Sequence, residues 1–167
     1  RSVAIEKLSP AAKVRAILRY SALPGSSRHH WGTDLDVYDA AAIEPGYRLQ
    51  LSPQEVETGG VFDAMHCWLD ECMATGASFG FYRPYHIDRG GVAPERWHLS
   101  YAPIATDCEV RLSKEVLTAC WREHAAVEED LLLAEQVRAD LAQIMADFVR
   151  VAPDWCPAQY REPIQPG

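Results

Sequence analysis

Two stretches far apart in the chain, Ser27-Arg28-His29-His30-Trp31-Gly32-Thr33-Asp34-Leu35-Asp36 and Glu95-Arg96-Trp97-His98, constrain the fold more than anything else in it. Among their side chains are two imidazoles, a carboxylate after a glycine, and a further carboxylate three residues ahead of a histidine. That set suits zinc held by three protein ligands, His29, Asp36 and His98, with Glu95 as a neighbouring general base. The ligands meet only if the fold brings the two stretches side by side. Gly32 allows a tight turn between His29 and Asp36. Residues 35–38 read as a short strand carrying Asp36, and residues 97–101 as another opened by His98. Pairing these strands converges all three donors and leaves the fourth zinc position to water. The ligand set alone also admits other divalent metals, iron and copper included.

The rest of the chain reads as α+β: a small antiparallel sheet carrying the zinc site, flanked by helices, with a helical C-terminal third. One domain is expected over the 167 residues, with a motif core at about 8–105, a helical part at 113–149 and a proline-rich tail at 157–167. Ser9-Pro10 starts a helix with Val14, Ile17 and Leu18 on one stripe, ending near Tyr20. Residues 47–51 read as a further strand. Ser52-Pro53-Gln54-Glu55 caps a helical stretch that breaks at Gly59-Gly60 and resumes over 61–74, with Phe62, Met65, Leu69 and Met73 on one side. Residues 79–85 read as a strand and 88–91 as a loop. Ser113 caps a helix over 114–124. A longer helix spans 128–149, its Leu133, Val137, Leu141, Ile144 and Phe148 facing the core rather than a partner.

A formal net charge of −8 argues against nucleic acid or an anionic membrane as partner. No run has the length of a transmembrane segment. No signal peptide is visible, but the chain begins at Arg1 rather than methionine, so the residues leave the compartment open. Five cysteines in no metal-knuckle spacing read mostly as small buried hydrophobes. One bridge among Cys108, Cys120 and Cys156 stays open for an exported protein. Cys67 and Cys72 lie on different faces of one helix and are too far apart to bridge.

Ser27-x-His29-x-x-Gly32-x-x-x-Asp36 followed by Glu95-x-Trp97-His98 resembles the signature of the zinc D-alanyl-D-alanine carboxypeptidases of the VanY/VanX type. These belong to a wider group that includes lysostaphin-like enzymes and the Hedgehog fold. The likeness is to the VanY branch, with similar flanking text at Leu23-Pro24-Gly25, His30-Trp31-Gly32-Thr33-Asp34 and Ser100-Tyr101-Ala102-Pro103, and it runs from about Leu8 to Ala105. It implies zinc on His29, Asp36 and His98, with Glu95 as base. It also implies that Ser27 holds the substrate's terminal carboxylate or backbone. The implied substrates are peptidoglycan stem peptides ending in D-Ala-D-Ala, or the dipeptide itself, with a location in the periplasm or cell envelope. Many members carry a small residue where this chain has Asp34, which is read as an outer partner of a ligand or a structural residue, with an alternative ligand role also open. The family's oxyanion arginine corresponds to Arg1 or is absent, with Arg28 and Arg83 as fallbacks.

Four other histidines have ordinary readings. Neighbours in an extended chain face opposite ways, so only one of His29 and His30 should reach the metal, and the resemblance picks His29. His66 lies on a helix, His124 at a favourable helix end, and His86 in a loop, where a place in the cleft is a minor alternative. Two rival functions remain: a binding module that recognises cell-wall peptide or a protein partner without cutting it, and a non-heme iron oxygenase on the same ligands.

Overall fold

In a computed structural model describing residues 5–124, 131–151 and 155–160, three short strands form one antiparallel sheet. They are β1 (Asp34–Asp36), β2 (Phe81–Tyr82) and β3 (His98–Tyr101), with β3 in the middle. Asp36 pairs with His98, Asp34 with Ser100, and Tyr82 with Ser100 from the other side. The β1–β3 ladder extends at both ends through Val37 N–H to Trp97 O, 3.0 Å, and Tyr101 N–H to Thr33 O, 2.9 Å. Alternation sets Asp34, Asp36, Tyr82, His98 and Ser100 on one face, and Leu35 and Leu99 on the other. A slip of one residue would turn the polar set away, so register and site are specified together.

Helices surround this sheet, as the α+β reading expects. They are α1 (Pro10–Leu18), α2 (Pro53–Val56), α3 (Asp63–Ala74), α4 (Ala102–Arg111), α5 (Lys114–Glu123) and α6 (Ala134–Ile144). Ser9 caps α1 and Ser113 caps α5 through their side-chain oxygens, while Ser52 and Glu55 form a reciprocal capping box on α2. Val14 and Leu18 of α1 meet Leu117 and Trp121 of α5 and Val137, Leu141 and Ile144 of α6 in one buried cluster. Trp121 Nε1 donates to Pro24 O, 2.7 Å, so α5 secures the segment that leads into Ser27. A second cluster of Val56, Phe62 and Trp97 lies on the other flank of the site.

Several sequence expectations are corrected. Residues 47–51 are not a strand. The Glu55 carboxylate accepts bonds from Tyr47 Oη, 2.7 Å, and from the N–H groups of Gln50 and Ser52, 3.0 Å each, so this backbone is satisfied without a neighbouring strand. Leu51 then takes a left-handed φ of 50°, which ends extended chain. Of the strand expected at 79–85, only Phe81–Tyr82 pairs. Helix α4 was not expected. The long C-terminal helix starts at Ala134 and ends in a π-helical turn at Met145–Val149, and residues 128–130 lie outside the described residues. The tail from residue 161 onward lies outside them as well; Ala158–Tyr160 form a 3-10 turn. None of the five cysteines is in a disulfide and only Cys156 is buried, so the view that most are core residues is wrong. Solvent reaches the faces of α3, α4 and α5 that carry the other four.

The loop after β2 is strapped to α1. Arg19 pairs with Asp88 and donates to Gly91 O, 3.2 Å, and Ala93 N–H returns to Arg19 O, 2.9 Å. At Gly91 the loop meets the π-helical turn so closely that an added Cβ would lie 2.0 Å from Asp147 O. Gly91→Ala is therefore expected to cost about 1–3 kcal/mol of stability, read as a lowered urea midpoint. An unchanged midpoint would show that the loop yields freely.

Candidate metal centre

The first stretch begins as a 3-10 helix, Arg28–Trp31, closed by Gly32 in the left-handed conformation, φ 72°. The chain then reverses directly into β1, and this reversal sets His29 over Asp36. The second stretch is a turn. His98 N–H bonds to Glu95 O, 3.1 Å, and Glu95 N–H is held by Tyr85 O, 3.1 Å, so Glu95 and His98 share one side. Within that turn Arg96 is tied outward to Val56 O, to Asp63 at 3.1 Å and to Asp70 at 2.7 Å, while Trp97 is buried against the Val56 cluster.

Strand pairing unites the stretches. One donor atom each from His29, Asp36 and His98 lie within 4.8 Å of one another. His29 Nε2 is 3.6 Å and His98 Nδ1 is 3.5 Å from Asp36 Oδ1. Donors about 2 Å from a tetrahedral zinc are about 3.3 Å apart, so the two distances to Asp36 fit within a few tenths of an ångström. The far nitrogen of each ring is also engaged: His29 Nδ1 by Asp34 O, 3.2 Å, and His98 Nε2 by Asp34 Oδ1, 2.8 Å. The other nitrogen of each ring faces Asp36, the arrangement that orients metal-binding imidazoles. Glu95 Oε2 is 3.4 Å from His98 Nδ1, beside the donors. The residues present fit a zinc ion with one open side.

Asp34 is the hub behind the donors. Its side chain has no solvent exposure, and it also accepts from Arg28 Nε, 2.9 Å, Thr33 Oγ1, 2.6 Å, and Ser100 Oγ, 3.1 Å. Burial alone would raise its pKa, but the bond from His98 and the Arg28 charge outweigh it and hold the carboxyl at about 2. Tyr85 packs edge-on against His98 with centroids 5.0 Å apart, and burial pushes its phenol pKa up.

The donors lie in a cleft of about 310 Å³ that Ser27, Tyr85 and Glu95 also line. Ser27 is half-buried and its hydroxyl makes no capping bond to the 3-10 helix. Ile144, Phe148 and Val149 supply an apolar wall.

The sequence matches the family model of VanY, D-alanyl-D-alanine carboxypeptidase, over residues 4–104. The chain belongs to the VanY family. It is also 33% identical over 129 residues to an uncharacterized protein of Haemophilus influenzae, covering 76% of this chain and 92% of that one. No solved structure matches it. The VanY match contains both stretches and all four candidate residues, His29, Asp36, Glu95 and His98. The apolar wall from α6 and the π-helical turn lies beyond it.

Asp34, read from the sequence as an outer partner of a ligand or a structural residue, has a definite place in the structure. Asp34 holds the outer nitrogen of His98, and Arg28 neutralises it. Arg28 is therefore not the free cation that the sequence reading allowed. It is 1% exposed, donates to Asp34, to Glu109 at 2.7 Å, and to Tyr82 Oη and Ser100 Oγ at 2.9 Å each, and stacks on Trp31 at 4.5 Å. Arg83 is also corrected: it is paired with Asp70 at 2.9 Å and does not line the cleft. Arg1 lies outside the described residues.

His30 is exposed and outside the cleft lining, though it sits on a 3-10 turn rather than in extended chain. His66 is fully buried under Arg83, 3.3 Å from Nδ1; burial and the charges of Arg83 and Arg96 lower it to about 4. His86 lines a separate pocket with Arg83 and Pro94, and His124 bonds Cys120 O at the end of α5. Tyr82, Ser100 and Glu109 were missed. The only local signal was Arg28 beside His29 and Asp34 two residues before Asp36.

Proposed function

We propose that the protein is a zinc-dependent peptidase that removes the terminal D-Ala from peptidoglycan stem peptides ending in D-Ala-D-Ala. The observation that carries this reading is the convergence of His29 Nε2, Asp36 Oδ1 and His98 Nδ1, with the Glu95 carboxylate beside them at the floor of a cleft. His29, Asp36 and His98 would hold the ion. Zinc supplies Lewis acidity when bound, acidifying water and polarising a carbonyl.

Glu95 takes a proton from the water that adds to the scissile carbonyl carbon. As the C–N bond breaks, the same carboxyl returns that proton to the departing amine of D-Ala. Asp34 engages His98 Nε2 and so leaves Nδ1 as the nitrogen that would face the ion. The Ser27 hydroxyl is suited to donate to the substrate's terminal carboxylate or backbone. The substrate implies a periplasmic or cell-envelope location.

A binding module without turnover is the second reading, favoured by one observation. Arg28, the arginine lining the cleft among the described residues, spends its donors on buried partners. Incubation with a pentapeptide ending in D-Ala-D-Ala separates the two. Free D-Ala is expected, lost on chelation and restored by zinc. Peptide bound but uncut would support the module, and D-Ala release that survives complete metal removal would overturn the zinc reading. Metal analysis of the purified protein, with iron in place of zinc, would turn the argument toward an oxygenase.

A further inference from the structure

Behind the donors, a chain of buried charges leaves the site and ends on the C-terminal segment. Glu109, on α4, lies beyond the part of the chain that matches the VanY family. Its Oε2 receives Arg28 Nη1, 2.7 Å, and its Oε1 receives the backbone N–H of Val151, 2.9 Å. Arg28 passes to Asp34 Oδ1 through Nε, and that same oxygen receives His98 Nε2. One guanidinium is therefore shared by two carboxylates, and its orientation is set from both ends. Tyr82 Oη and Ser100 Oγ fix the remaining nitrogen.

We propose that Glu109 is a positioning residue for the metal centre, acting through Arg28 and Asp34 on His98, and that it couples metal binding to the docking of the backbone at Val151. The proposal rests on the zinc reading above. Asp34 Oδ1 serves two donors at once, so its placement depends on where the guanidinium stands. Glu109 holds that guanidinium from the side away from His98. When Glu109 lets go, the pull on Nη1 is lost and Arg28, still held at Nη2, shifts toward Asp34 and draws its carboxylate from the imidazole. The Nδ1 lone pair then loses its aim toward Asp36. The coupling is reciprocal: an ion that fixes His98 also tightens the chain as far as the Val151 amide.

The test is zinc affinity, measured by competition with a chromophoric chelator on the full chain. Glu109→Gln keeps the shape and removes the charge, and it is expected to bind zinc about tenfold more weakly, toward the lower end of what outer partners of ligands contribute. Asp34→Asn is expected to lose more. The double variant should be no weaker than Asp34→Asn alone, because Glu109 acts only through Asp34. A purely structural role would give additive losses. In the unmodified protein, amide exchange at Val151 should slow on adding zinc, a readout that survives even if a variant fails to fold.

Wild-type affinity retained by Glu109→Gln, additive losses, or Val151 exchange indifferent to zinc would each overturn the proposal and leave the zinc reading standing. Failure of the unmodified protein to bind zinc would overturn both.

Discussion

Replacing Glu95 with glutamine is expected to cut release of D-Ala by about a hundred- to ten-thousand-fold while zinc content stays at the wild-type level. The amide matches the carboxylate in size but cannot accept the proton of the attacking water. Glu95 is outside the three-residue donor cluster, although its Oε2 is 3.4 Å from His98 Nδ1. Its loss should therefore leave the donors intact and act on turnover. Parallel metal analysis and a D-Ala assay on the same preparation check both halves. A Glu95→Gln protein that turns over at the wild-type rate would remove Glu95 from the chemistry, and one that arrives without metal would make it part of the binding set.

The largest effect on stability is expected from Arg28→Met. Arg28 is buried between two carboxylates, Asp34 with 0% and Glu109 with 18% side-chain exposure. Removing one member of a buried charged set leaves the others uncompensated, a loss of about 3–5 kcal/mol. Methionine fills much of the volume, so the deficit reports charge and hydrogen bonding rather than a cavity. Lysine should not rescue it, because an ammonium cannot reproduce directed bonds to Asp34, Glu109, Tyr82 and Ser100. Urea unfolding of the three proteins decides, and an Arg28→Met protein within about 1 kcal/mol of wild type would contradict the assignment, the expected loss being several times larger.

The pH dependence has a definite sign. Asp34 stands at about 2 in the folded protein, below the ordinary value of about 3.9 for an unfolded aspartate. Its contribution is fully present above the unfolded pKa and is lost as pH falls through about 2. The gap between wild type and Arg28→Met should therefore hold from neutrality to about pH 4 and narrow only in stronger acid.

The residues that converge were legible because their chemistry is a property of side-chain type and short spacing. A glycine turn between His29 and Asp36 and a three-residue step from Glu95 to His98 are local devices, realised by a 3-10 helix closed at Gly32 and a turn closed by the His98 amide. The pairing of the two strands was legible for the same reason, since the donors have no other route to one another.

The misreadings share a different cause. Tyr47, Leu49 and Leu51 alternate as a strand does, but Glu55 takes up the hydrogen bonds that a neighbouring strand would have used. Helix α4 has Tyr101 at its N-cap and no side-chain cap, so Pro103 in the first turn is left without the capping residue that usually announces a start. Cys67 is on a helix with a buried face, yet it points outward toward Asp63 at 3.3 Å and Arg96 at 3.5 Å.

Residue pattern and motif order were thus enough for the α+β class, motif resemblance for the VanY family, and short spacing for the group of residues that converge, His29, Asp36 and His98 with Glu95 beside them. Folding in three dimensions settled the fate of Arg28, which sequence alone offered as a free cation and the structure buries. Its partners lie 6, 54, 72 and 81 residues away. The reason is physical: a donor atom carries its chemistry wherever it stands, whereas the burial of a charge depends on which distant groups arrive to neutralise it.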